Sequence, residues 1–302
     1  QAFQTATAQG VAAAMGKSSA VKKRPACLPG ESQKKRVALD CGPRKTLAPL
    51  RTLVINLERR VDRWKGISQR ISALESPILQ VERLPATDGS QDEVPESDVG
   101  LEWTTNRNSK FDGRAGYRAG VTLQMTPGER GCAMSHVRAW RQVAGMVTAE
   151  DSPVLILEDD AVLGPEFAKR LTRTLARLPA DSKPDALYLG YIQGAPWRRR
   201  VAQGVFEARY LWTTVGYLLW QRGAAKLLAA LPVDCPVDNF MAWQMATSSL
   251  RTFAVKPALV DQEGDWDCNS DVRHSDDAVF DAHSHQDCDT DVCHSNDTVP
   301  GE

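Results

Sequence analysis

Several things are scarce in this 302-residue chain, and each scarcity removes a class of protein. No apolar run approaches the roughly 18 residues a membrane-crossing helix needs, so the sequence predicts no membrane span. Cysteine is limited to seven scattered residues, an odd number. That excludes a dense disulfide framework and fixes no compartment. No C-x₂-C pair accompanies Cys268, His274, Cys288, Cys293 and His294, which argues against a zinc fold in the tail. The basic N-terminus has no interleaved aromatics and no base-reading motif, so no nucleic-acid partner is expected. The chain opens on Gln1 rather than Met, which leaves room for an upstream signal or anchor.

What remains is a composition 42% hydrophobic and 25% charged, which suits one large soluble α/β domain or two small ones, with ample core. The net charge of -1 conceals an asymmetry. Residues 1–50 carry nine Lys/Arg against two acids, and residues 261–302 carry thirteen acids against one Arg. The charged ends read as appendages: a disordered basic segment over 1–49, a folded domain over 50–272, and a disordered acidic tail over 273–302. Lys22-Lys23-Arg24 and Lys34-Lys35-Arg36 resemble a two-part import signal, and the Ala/Ser content also suits a transit peptide. A solvated linker is the reading adopted. The tail contains a duplication: residues 266–279 return as 286–299, with Asp, Cys, Asp, Val, His, Ser, Asp and Val in register. One glycosylation sequon, Asn296-Asp297-Thr298, lies there too.

Within the domain, strand-like runs alternate with helix-like periods. Leu53–Leu57, Ile78–Leu84, Val154–Leu157, Ala186–Gly190, Thr213–Trp220 and Phe253–Val255 read as strands. Helices are expected over about 60–74, 127–147, 165–178 and 222–231, and from 237. Residues 90–126 read as one long polar loop. This alternation predicts an α/β fold with a mainly parallel central sheet flanked by helices. The most informative segment is Val154-Leu155-Ile156-Leu157 running into Glu158-Asp159-Asp160. Acids at the C-terminal end of a buried strand lie where open α/β sheets bind ligands. Three adjacent like charges suit a divalent ion such as Mn²⁺ or Mg²⁺. A solvated acidic loop is the alternative.

Read in order, several pieces resemble glycosyltransferase family 25, which includes lipopolysaccharide galactosyltransferases and collagen β-galactosyltransferases. They are Val54-Ile55-Asn56-Leu57 with Asp62-Arg63, Ala86-Thr87-Asp88-Gly89, and Gly128-Glu129-Arg130-Gly131-Cys132 with Ser135-His136 and Trp140. Leu157–Ala161, Tyr188-Leu189-Gly190, Thr214–Tyr217, Pro236-Val237-Asp238, Pro257 with Gln262, and Ser270-Asp271-Val272 follow. Trp197–Arg200 matches nothing in the family pattern.

The resemblance implies a GT-A (Rossmann-like) fold, a UDP-sugar donor, Mn²⁺ (or Mg²⁺), and a hydroxyl acceptor on a protein or glycan. Galactose is the expected sugar. It implies an ER or Golgi lumen for a eukaryotic source and the cytoplasm for a bacterial one. Strand alternation puts Glu158 and Asp160 on one face and Asp159 on the other. Asp160 is expected as a metal ligand, Glu158 as a metal ligand or ribose contact, and Asp159 as orienting the site from the opposite side. Asn56 and Asp88, with Leu57 and Gly89 beside them, are expected at the uracil and ribose. Arg63 is expected on a phosphate or on Asp62. His136 is expected as a donor contact or as a core histidine satisfied by backbone. Asp238 is expected as the general base of an inverting displacement, its pKa lowered by a helix N-terminus, or else as a helix cap. A catalytically inactive GT-A domain used for binding or adhesion is the competing reading, since the family contains such members.

Limited proteolysis is expected to leave a resistant fragment close to residues 50–272. A stable product cut near residue 150 would contradict a single domain.

Overall fold

The computed structural model describes residues 49–74, 76–108, 119–146, 152–264 and 271–275. The basic segment, the sequon and the second copy of the tail repeat lie outside these residues. The strands are β1 (Leu50–Asn56), β2 (Leu79–Pro85), β3 (Glu102–Thr104), β4 (Thr122–Gln124), β5 (Val154–Glu158), β6 (Ala161–Leu163), β7 (Ala186–Gln193), β8 (Arg199–Ala202), β9 (Val205–Glu207), β10 (Leu211–Leu219), β11 (Thr252–Val255) and β12 (Val260–Gln262). The helices are α1 (Val61–Ser72), α2 (Pro127–Gly145), α3 (Phe167–Arg177), α4 (Gln221–Ala229) and α5 (Val237–Ala246). Among the described residues no helix is long and apolar enough to cross a membrane.

Eight strands form one sheet in the order β2-β1-β5-β10-β7-β11-β9-β8. The sheet is mixed rather than wholly parallel: its strands run mainly in one direction, with β10 and β9 reversed. β1·β2, β1·β5 and β7·β11 pair parallel, whereas β5·β10, β10·β7, β11·β9 and β9·β8 pair antiparallel. β10 inserts between β5 and β7 against their direction, and β9 does the same between β11 and β8. The apolar run of β10, Val215 to Leu219, reads as a buried strand, but composition carries no direction.

Strand alternation separates two cores. Val154 and Ile156 of β5 join Ala133, Val137 and Trp140 of α2 on one side. Leu155 and Leu157 join Ile67 of α1 and Phe167 and Leu171 of α3 on the other. The sheet is therefore sandwiched between helix layers, and the ends of β1 and β5 open at one edge of the sandwich. The short strands β3, β4, β6, β8, β9 and β12 escape sequence reading because three or four residues show no period. β3 and β4 pair antiparallel inside the stretch read as a loop. The unplaced Trp197–Arg200 run leads into the edge hairpin β8–β9. Trp197 stacks on Phe206, Arg199 pairs with Glu207, and Arg198 caps the Met245 and Ala246 carbonyls at the end of α5.

Helix α2 carries the site and is fixed at its start. Thr126 accepts from the Glu129 N–H at 3.1 Å, and Glu129 accepts from the Thr126 N–H at 2.8 Å, a reciprocal capping box. The turn after β2 lies directly against the helix. A Cβ on Gly131 would stand 2.6 Å from both the Gly89 nitrogen and the Thr87 oxygen, and one on Gly89 would stand 1.9 Å from the Pro127 oxygen. These glycines let two backbones touch. Residues 271–275 close over the same helix end. Asp271 binds Arg59 and Arg60, and Ser275 donates to Glu129 and accepts from Trp103. Contacts thus continue three residues past Val272.

Gly131→Ala is expected to cost about 1–3 kcal/mol or more, the range for forced overpacking. Gly145→Ala, with nothing within 4 Å of the added methyl, should be neutral or slightly stabilising. Urea denaturation of the two variants checks this; equal midpoints would contradict the backbone contact.

Candidate active site

Strand β5 ends at Glu158, and Asp159 and Asp160 occupy the turn into β6. Each acid has its own surroundings. Glu158 Oε1 accepts from the Thr214 hydroxyl at 2.5 Å and lies 3.2 Å from His136 Nε2. Burial pushes the Glu158 carboxyl up, but the His136 hydrogen bond and charge, with Thr214 and Arg63, outweigh it and hold the group below the usual range. Asp159 faces the opposite layer. It accepts from Asn56 Nδ2 at 2.6 Å and pairs with Arg63 at 3.1 Å. Burial still raises its pKa, against both partners.

Asp160 accepts from Gln262 Nε2 at 3.0 Å through one oxygen. Its Oδ1 and the Gln262 Oε1 are both buried without a hydrogen-bond partner. Buried polar oxygens left this way are uncommon in folded proteins. Burial, then the Glu158 charge, push the Asp160 carboxyl up to about 6. Two orphaned hard oxygens, one of them on an acid that resists ionisation, suit a divalent cation. The residues present therefore fit the expected metal. Pleat alternation does not orient Asp160, because the strand has ended. The β6–β12 ladder and the Glu263 N–H bond to the Asp160 carbonyl do so instead.

Asp238 lies in the first turn of α5. It accepts from the Asn239 N–H at 2.7 Å and the Thr213 N–H at 3.5 Å, and Pro236, not Asp238, occupies the N-cap. The expected lowering of its pKa is corrected. Burial outweighs His274 and the two N–H groups, and its carboxyl is raised. Thr213 has φ +67, a left-handed conformation that a β-branched residue adopts only under strain. The strand register shifts between Trp212 and Gly216 at this point. The bulge sends the Thr213 N–H to Asp238 and the Thr214 hydroxyl to Glu158, so it spaces the two acids. Thr213 and Gln262 also line one cavity of about 260 Å³ that reaches Tyr191 and Arg170.

The remaining expected residues sit nearby with altered partners. Asn56 is 1% exposed and engaged on all sides, by Asp159, the Arg60 carbonyl and Arg83. Arg63 pairs with Asp159, whereas Asp62 is taken by Arg60. His136 is buried, but Tyr217 and Glu158 satisfy it rather than backbone. Asp88 sits in the turn beyond β2, held below the usual range by Ser90 and Arg59. Leu57 accepts the Arg60 N–H at the start of the β1–α1 turn, and Gly89 packs against Pro127 and Gly131. Gln262, Thr214 and Tyr217 carried no role in the sequence reading. The Thr214–Tyr217 and Gln262 pieces of the resemblance were their only signal.

Residues 50–200 match the family model "Glycosyltransferase family 25 (LPS biosynthesis protein)". The chain belongs to glycosyltransferase family 25. A Drosophila pseudoobscura pseudoobscura protein named "Glycosyltransferase 25 family member" is 36% identical over 209 residues, covering 66% of this chain and 30% of that one. The human "Inactive glycosyltransferase 25 family member 3" is 32% identical over 201 residues, covering 62% and 30%. The Xenopus laevis "Procollagen galactosyltransferase 1-B" is 28% identical over 233 residues, covering 68% and 35%. The matched stretch thus spans about a third of the length of these relatives.

Asp160 also makes a stability prediction. Its pKa is about 6 folded against 3.8 for an ordinary aspartate. Below pH 3.8 both states hold the proton and there is no penalty. Between these values the unfolded chain ionises first, so stability falls as pH rises, and above 6 the full penalty applies. In metal-free buffer, Asp160→Asn should raise Tm by several degrees at pH 7.5 and barely at pH 4. Scanning calorimetry checks it; an equal effect at both pH values would contradict the buried-charge account.

Proposed function

We propose that this chain is a metal-dependent inverting glycosyltransferase with a GT-A arrangement. It moves a hexose, galactose by its relatives' names, from a UDP-sugar to a hydroxyl on a protein or glycan acceptor. The observation that carries the proposal is the pair of partnerless buried oxygens, Asp160 Oδ1 and Gln262 Oε1, at the acid-tipped end of β5. They would hold Mn²⁺ (or Mg²⁺), with Glu158 as the second carboxylate beside them. When bound, that ion supplies positive charge to the departing diphosphate.

The chain's own residues supply the rest. Asn56 and Arg63 fix Asp159, and so fix the turn that presents Asp160. Arg59 and Asp88 border the turn after β2, where the nucleoside is proposed to rest. Asp238 takes the proton of the acceptor hydroxyl as its oxygen bonds the anomeric carbon and the bond to the diphosphate breaks. Burial makes it a stronger base than an ordinary carboxylate, and the Thr213 and Asn239 N–H groups keep it aimed.

The second reading is an inactive binding module, which the inactive human relative at 32% identity favours. It predicts UDP binding without turnover.

UDP release from UDP-galactose, with and without an acceptor, tests the proposal. Release should require Mn²⁺ and vanish in EDTA and in Asp160→Asn. Asp238→Asn should lower kcat by roughly 10²–10⁴ with donor affinity nearly unchanged. Turnover in EDTA would refute the metal. Collapse of donor binding with surviving single-turnover chemistry would remove Asp238 from the base role.

A further inference from the structure

Beside the Asp160–Gln262 oxygens lies a second group of ligand atoms with different chemistry. Cys132 and His136 are four residues apart on α2 and so project from the same face of the helix. Glu158 meets them from the end of β5. One atom of each residue lies within 4.8 Å of the other two. We propose that Cys132, His136 and Glu158 form a second site, sharing Glu158 with the Asp160–Gln262 oxygens, for a borderline-soft divalent ion of the zinc class.

Three observations converge on this. The donor set is one sulfur, one imidazole nitrogen and one carboxylate, the ligands that select zinc over manganese or magnesium. The ligands also have built outer partners, as metal ligands do. His136 Nδ1 lies 2.9 Å from the Tyr217 hydroxyl, which Trp140 Nε1 holds at 3.0 Å, and Thr214 fixes Glu158 Oε1 at 2.5 Å. Finally, the charges of Glu158, Asp238, Asp160 and Glu129 all act on Cys132, so the field there favours a cation. Ligand atoms around a tetrahedral zinc are separated by about 3.3–3.7 Å, so closure needs about 1 Å of side-chain movement.

Proton balance is simple. The thiol loses its proton to solvent and becomes the thiolate ligand. His136 ligates through Nε2, which carries no hydrogen when bound, while Nδ1 carries one toward Tyr217. At least one proton, that of the thiol, is released per ion bound. The site does not depend on the transferase reading, because its ligands and partners are complete without a sugar donor.

Co²⁺ alone, titrated into the full chain in buffer without thiols, tests the proposal through the sulfur-to-cobalt charge-transfer band. The wild-type protein should show the band at one equivalent. Cys132→Ser should lose it, with the fold checked by circular dichroism. Asp160→Asn should keep it, which separates this site from the neighbouring oxygens. A variant with Cys268, Cys288 and Cys293 all changed to serine should also keep it. Tyr217→Phe should weaken Co²⁺ binding by roughly 10–100-fold, the effect of losing an outer partner. If Cys132→Ser fails to fold, Glu158→Gln serves instead, weakening binding about tenfold or more while the band persists at saturation. No band in the wild type, a band that survives Cys132→Ser, or one that disappears with the three tail serines would overturn the site.

Discussion

The crevice depends on the buried hydrogen bond of 2.6 Å from Asn56 to Asp159. It joins the C-terminal ends of β1 and β5, two parallel neighbours, at the point where the sheet stops. Arg83 of β2 binds the other side of the Asn56 amide, and Arg63 of α1 binds the other oxygen of Asp159. Four elements are thereby tied through one amide and one carboxylate. Removing either partner would strand a buried polar group, which costs more than the bond itself contributes. With Asp159 held by both partners, its neighbours Glu158 and Asp160 are aimed by their own, Thr214 and Gln262.

This arrangement divides three adjacent acids by environment. Glu158 is ionised and held by His136 and Thr214, Asp159 is structural, and Asp160 is strained toward its protonated form. Sequence adjacency suggests one acidic cluster; the fold makes three different groups of it. The bulge in β10 extends the same logic to Asp238. Thr213 accepts an unfavourable backbone conformation so that consecutive residues can reach two acids from different elements. Strain stored beside a crevice in this way is characteristic of sites held for function rather than stability.

Much of this was legible in the sequence. The apolar run before Glu158 identifies the strand and places its acids at the strand's C-terminal end. Pro127-Gly128-Glu129 marks the start of the helix that carries His136. Three things were not legible. The direction of β10 was hidden, because a buried strand looks the same in either sense. Side-chain partners across the crevice were hidden too: Arg63 reaches Asp159, 96 residues away, rather than the adjacent Asp62. The pKa of Asp238 turned on burial, which a helix-start motif does not report.

The central claim is that Asp160 and Gln262 jointly hold a divalent cation. Mn²⁺ titration followed by electron paramagnetic resonance, comparing the wild-type chain with Gln262→Met, tests it most directly. Methionine keeps the length and removes the hard oxygen, so the account predicts that Mn²⁺ affinity falls at least about tenfold while the fold persists. Unchanged Mn²⁺ affinity in Gln262→Met would contradict it.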